Sequence, residues 1–125
     1  MKKLSIPVLN DEYSIMVYIG KKEELIAAAS KYLGLPKDVI EERTEDTRGS
    51  AWDALILECK KNVLILVDGD LPIDQAIATL AHEACHAADY IIEHTSIDDR
   101  KGEFRAHTIG AVIRNVYKLI LNKKK

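Results

Sequence analysis

The sequence is poor in the residues that staple or interrupt a small fold, with two cysteines, three prolines, one tryptophan and one phenylalanine in 125 residues. Two cysteines, Cys59 and Cys85, are too few for a disulfide framework. The opening Met1-Lys2-Lys3-Leu4 leads into no long apolar run, so no signal peptide is expected, and the chain reads as a reduced, cytoplasmic protein. No apolar stretch approaches the roughly 20 residues that span a bilayer, because Lys, Asp, Glu or His breaks every candidate. A surplus of one charge is also missing. Eighteen basic residues stand against twenty acidic ones, which excludes the broad basic surface of a dedicated nucleic-acid binder. Only the tail Lys123-Lys124-Lys125 is locally basic, and no internal repeat is found.

What is present is ordinary globular material. Apolar residues make up 47% and charged residues 30%, far from the composition that stays disordered. The length suits one domain over residues 1–125, with a core large enough to fold without staples.

Tyr13 to Ile19 is rich in β-branched and aromatic residues and ends at Gly20, which predicts a strand. Lys22 to Leu33 carries Leu25, Ile26, Ala29 and Leu33 at helical spacing, with Gly34 and Pro36 as the stop. A further short helical turn fits Pro36 to Glu42, and the polar run Arg43 to Ser50 reads as an exposed loop. Ala51 to Cys59 and Val63 to Val67 form a hairpin pattern across Lys60-Lys61-Asn62, and the second stretch is apolar on both faces, as in a sheet interior. Pro72 opens a long helix reaching about Glu93, with Ile77, Leu80, Ala81, Ala84, Ala88 and Ile91 as its apolar stripe. Asp98-Asp99 supplies N-cap chemistry for a last helix carrying Ile109, Val112, Ile113, Val116, Leu119 and Ile120. The expected fold class is α+β in the order β-α-β-β-α-α, a short antiparallel or mixed sheet packed on the last two helices.

Inside the long helix stands His82-Glu83-Ala84-Cys85-His86, an HExxH pattern. Histidines one turn apart project side by side, so both imidazoles can reach one metal ion. Glu83, beside them, is placed to take a proton from a metal-bound water whose pKa the cation has lowered. Chance supplies such a match in on the order of one chain in a few hundred of this length. The competing reading is two surface histidines engaged in hydrogen bonds or facing solvent. Small residues on both sides, Ala81 before and Ala87-Ala88 after, favour the metal reading because they let another element pack closely.

A catalytic zinc site needs a third protein ligand. The candidates are Glu103, His107 and His94, with Asp89 one turn past His86 as an outer partner or a solvated charge. Glu103 and His107 share a face of the last helix, and Gly110 continues that face where a close helix crossing needs no side chain. If the two helices pack antiparallel, the loop and one turn bring Glu103 back beside the histidines, and Glu103 is the preferred ligand over His107.

These residues resemble a known family. His82-Glu83-Ala84-Cys85-His86 with Glu103 downstream is similar to the gluzincin metallopeptidases, and Thr79 to Ala88 with Glu103 to Gly110 resembles small peptidase-like proteins of phage and prophage genomes. The resemblance covers motifs in the second half of the chain only. It implies a minimal zincin-like domain, one Zn2+ held by His82, His86 and Glu103, and Glu83 as general base and acid toward a peptide bond. It also implies an edge strand, Ala51 to Cys59 or Val63 to Val67, on which an extended peptide lies, and a bacterial host cytoplasm as the setting. His107 stands where larger gluzincins often carry an aspartate that orients the first histidine. The metzincin extension is absent, since Asp89 and Ile92 occupy its glycine and third histidine positions. A weaker likeness is to SprT-like proteins, where Lys101 replaces the expected third histidine.

Cys85 reads first as a small packing residue, Tyr13 and Tyr90 as half-buried tyrosines or oxyanion donors, and Trp52 as a core cap or groove wall. Arg105 and Arg114 either hold a substrate carboxylate or solvate the last helix. The expected function is zinc-dependent hydrolysis of a peptide or protein substrate, with a non-catalytic metal-binding regulatory or interaction module as the alternative. A metal-free helical interaction protein is the third reading. Substrate preference, pathway and oligomeric state are not legible.

Overall fold

The computed structural model describes residues 1–9, 12–45, 54–59, 62–95 and 97–122. The elements are β1 (Lys2–Val8), β2 (Tyr13–Gly20), α1 (Lys22–Leu33), α2 (Lys37–Glu45), β3 (Ala54–Cys59), β4 (Asn62–Asp68), α3 (Ile73–Glu93) and α4 (Glu103–Asn122). The fold class is α+β, and the expected order is present with two additions. β1 precedes the first expected strand, and the turn expected after Pro36 is a nine-residue helix. That helix takes in residues 43–45, so the first part of the expected exposed loop is helical instead; 46–50 lie outside the described residues, as do Trp52 and the terminal lysines.

The four strands form one mixed sheet in the order β1-β2-β4-β3. β1 pairs antiparallel with β2, β3 pairs antiparallel with β4, and the two central strands β2 and β4 run parallel. β4 is interior, as its two-sided apolarity predicts, and Val63, Leu64, Ile65 and Leu66 have no exposed surface. Of the two strands named as a possible peptide-binding edge, only β3 lies at an edge. Along β1, Leu4, Ile6 and Val8 turn inward while Lys3, Ser5 and Pro7 are exposed, and Pro7 is tolerated there because β1 is the other edge.

Strand periodicity of two divides the core. Ile6, Ile15, Val17, Val63 and Ile65 face α3 and α4, meeting Leu80, Ala84, Ala87, Ile91, Val112 and Val116. Tyr18, Leu64 and Leu66 face the opposite layer, meeting Leu25 and Ala29 of α1 and Ile40 of α2. α1 ends at Gly34, whose left-handed φ of 69° lets its N–H reach the Ser30 carbonyl. α4 is capped as the sequence predicts: Asp99 accepts the N–H of Phe104 on Oδ1 at 2.8 Å and that of Arg105 on Oδ2 at 3.3 Å. No described helix is long and apolar enough to cross a membrane.

Candidate metal centre

α3 buries Leu80, Ala84, Ala87, Ala88 and Ile91. At about 100° per residue, His82, His86 and Asp89 fall on the opposite face, and both histidines are exposed. The two rings meet: Nε2 of His82 and Nε2 of His86 are 3.2 Å apart, with centroids 4.7 Å apart and planes at 81°. A tetrahedral zinc ion bound at about 2.0–2.1 Å sets two ligand nitrogens roughly 3.3 Å apart, so this pair has the span of one edge of such a site. The same separation suits one ring's Nε2–H donating to the other's Nε2, which is the competing hydrogen-bonded reading.

Glu83 occupies the adjoining, half-buried position. Burial pushes its carboxyl above the ordinary range, and the nearby His82 and His86 offset part of that rise. A carboxylate whose proton affinity is raised, next to two imidazoles, suits proton exchange better than a fully solvated one.

The remaining candidates are placed elsewhere. Among the described residues, no group of three or more His, Cys, Asp or Glu side chains is arranged to hold a metal. Glu103 and His107 are both exposed on α4. The buried face of that helix is Thr108, Val112 and Val116, and helical geometry puts Glu103 and His107 on the far side from it. The close helix crossing expected at Gly110 is not made, because nothing lies within 4 Å of where its Cβ would stand.

Asp89 is occupied by Arg105, whose Nε and terminal NH2 groups both donate to Asp89 Oδ1. This ion pair ties the first turn of α4 to the last turns of α3. Arg105 is therefore a clamp between helices, a role that its charge alone does not reveal. Cys85, on the same helix as Asp89, is half-buried.

His94 caps the end of α3, with Nδ1 2.8 Å from the Tyr90 carbonyl and its ring 4.1 Å from the Tyr90 ring. Tyr13 is buried and donates its hydroxyl to the His94 carbonyl at 3.2 Å, so it joins the start of β2 to the end of α3 and is not poised over the histidine pair. Sequence reasoning passed over the resulting stripe of His82, His86, Tyr90 and His94. Its signal is the spacing of four, sustained over three steps.

The fold and the paired imidazoles define an α+β protein with one surface helix edge of metal-binding geometry. The chain matches no protein family, no curated protein and no solved structure among those compared.

Proposed function

We propose that the chain is a zinc-dependent hydrolase acting on peptide bonds, a minimal zincin-like domain of the kind its HExxH sequence resembles. The observation that supports this most directly is the 3.2 Å separation of the His82 and His86 Nε2 atoms, with the half-buried Glu83 beside them. His82 and His86 would hold the ion, with Glu103 as the proposed third ligand. When bound, zinc supplies a fixed positive charge that acidifies water and polarises a carbonyl. Glu83 takes the proton released by the attacking water and passes it to the departing amine, a role that its raised proton affinity serves. β3, the edge strand preceding β4 and α3, offers unpaired backbone groups to an extended substrate.

The second reading, a metal-binding module without turnover, is favoured by the exposure of both histidines. An open two-imidazole edge leaves coordination positions that a partner's side chains can complete.

One pair of measurements decides between them. Protein purified without an affinity metal is offered zinc, and stoichiometry and peptide hydrolysis are followed in parallel. The hydrolase reading expects about one ion per chain and, in Glu83→Gln, retained zinc with hydrolysis reduced by about 10²–10⁴-fold. Zinc binding with no turnover in the unmodified chain selects the module, and failure to bind zinc removes both.

A further inference from the structure

A cavity lies on the opposite side of α3. β2 and β4 are adjacent and parallel, yet the helices that follow them go to opposite faces of the sheet, α1 to one and α3 to the other. Where two neighbouring parallel strands send their connections apart, a crevice opens at their carboxyl ends, and small ligands bind there across α/β proteins. Here the crevice is a cavity of about 640 Å³. That volume is within the roughly 300–1,000 Å³ of small-molecule sites.

Its floor is apolar, made by Ile19, Val67, Ile77, Leu80, Val116 and Ile120. Two loops form its rim, and they are joined at the base. Gly69 donates its N–H to the Gly20 carbonyl at 2.9 Å, and a Cβ on Gly69 would stand 3.2 Å from the Gly20 Cα. Neither loop can therefore swing away without breaking that contact.

Most rim charges are engaged. Lys2 Nζ donates to the Leu119 carbonyl at 3.3 Å, Glu24 lies 3.9 Å from the Met1 ammonium, and Asp68 Oδ1 accepts the Asp70 N–H at 3.0 Å. Two are not. Among the described residues, the Lys21 ammonium on one loop and the Asp70 carboxylate on the other have no ion pair or side-chain hydrogen bond. An apolar floor between one unpaired cation and one unpaired anion complements a ligand with an apolar body and a charge of each sign at its ends.

We infer that this crevice binds a small hydrophobic zwitterion, specifically a dipeptide with two large apolar side chains. Its carboxylate pairs with Lys21 and its ammonium with Asp70, while its side chains cover the partly exposed Ile77 and Ile120. The inference does not rest on the zinc reading, because the crevice is built on the buried face of α3 and the histidines stand on the exposed one.

The test is calorimetric titration of the full chain with the dipeptide Leu-Phe, with EDTA present so that metal-dependent hydrolysis cannot intervene. The expected result is saturable binding that is at least about tenfold tighter than that of N-acetyl-Leu-Phe amide, which has the same body without the charges. Lys21→Gln and Asp70→Asn, both at exposed positions, should each weaken Leu-Phe by about two- to fivefold and leave the capped compound unchanged. Ala76→Phe should fill the cavity and abolish binding of both compounds. Four results overturn the proposal: no binding of Leu-Phe up to about 10 mM, equal affinity for the capped compound, a tighter site for the single-charged decanoate, or unchanged Leu-Phe affinity in both charge variants. The two charge variants decide the question even if the filled variant does not fold.

Discussion

The chain uses the order strand, strand, helix, helix twice, and the two halves meet along the parallel seam between β2 and β4. Each half is a hairpin followed by two helices that cover one face of the shared sheet, so the connectivity is that of an approximate two-fold axis between the central strands. The halves differ in helix length. α1 and α2 have 12 and 9 residues, whereas α3 and α4 have 21 and 20. Counted from each helix start, the tenth residue is Lys31 in α1 and His82 in α3, but the fourteenth exists only in α3, where it is His86. Gly34 ends α1 before a second side chain can stand one turn beyond the first. The paired-imidazole edge thus stands on a helix that outruns its counterpart, and the position equivalent to His86 lies beyond the end of α1.

That comparison can be broken at several points. The largest effect is expected in the core. Leu80→Ala on one face and Ile40→Ala on the other, each at a fully packed position, should cost about 2–5 kcal/mol. Both should give one cooperative unfolding transition, because the halves share one sheet, and two separate transitions in denaturant would show that the halves are independent.

Zinc affinity sharpens the contrast between helices. His82→Ala and His86→Ala should each lower it by about 100-fold or more, Glu103→Ala by about tenfold, and His107→Ala by less than Glu103→Ala. A loss for His107→Ala equal to or above that for Glu103→Ala would refute the assignment of Glu103.

The smallest effect concerns Glu83 without metal. Burial raises its folded-state pKa above the unfolded value, so the charged form weighs against folding at pH above the folded pKa, and that penalty disappears once pH falls below the unfolded value. In EDTA, Glu83→Gln should therefore be slightly more stable than the parent at neutral pH, with the gap closing on acidification. A gap that stays constant with pH would contradict the burial of the carboxylate.

Much of the fold was legible from pattern. β2, β4, α1, α3 and α4 follow from periodicity and punctuation that agree with their final burial. β1 was missed because Lys2, Lys3 and Pro7 dilute its alternation, and only its edge position makes that composition acceptable. α2 is strongly polar, and among its residues of described burial only Ile40 is fully buried, which leaves little periodic signal. The histidine pair was legible because one helix carries both partners and helical geometry brings them together. The place of Glu103 was not. It depends on how α4 is rotated, and that rotation centres on Thr108, a polar residue only 6% exposed that an apolar stripe does not include. Shifting the buried centre from Ile109 toward Thr108 turns Glu103 farther outward.

The pairing of Ser14 with Asn62 and of Ile19 with Val67 has a kinetic counterpart. Each hairpin joins residues near in sequence, as Ile6 with Ile15 and Ile56 with Ile65, whereas the parallel seam closes a far longer loop and carries the greater entropic barrier. Assembly is thus expected to converge on one late zippering event between two prefolded hairpins, and the crevice at the carboxyl ends of β2 and β4 comes into existence only when that zipper is shut.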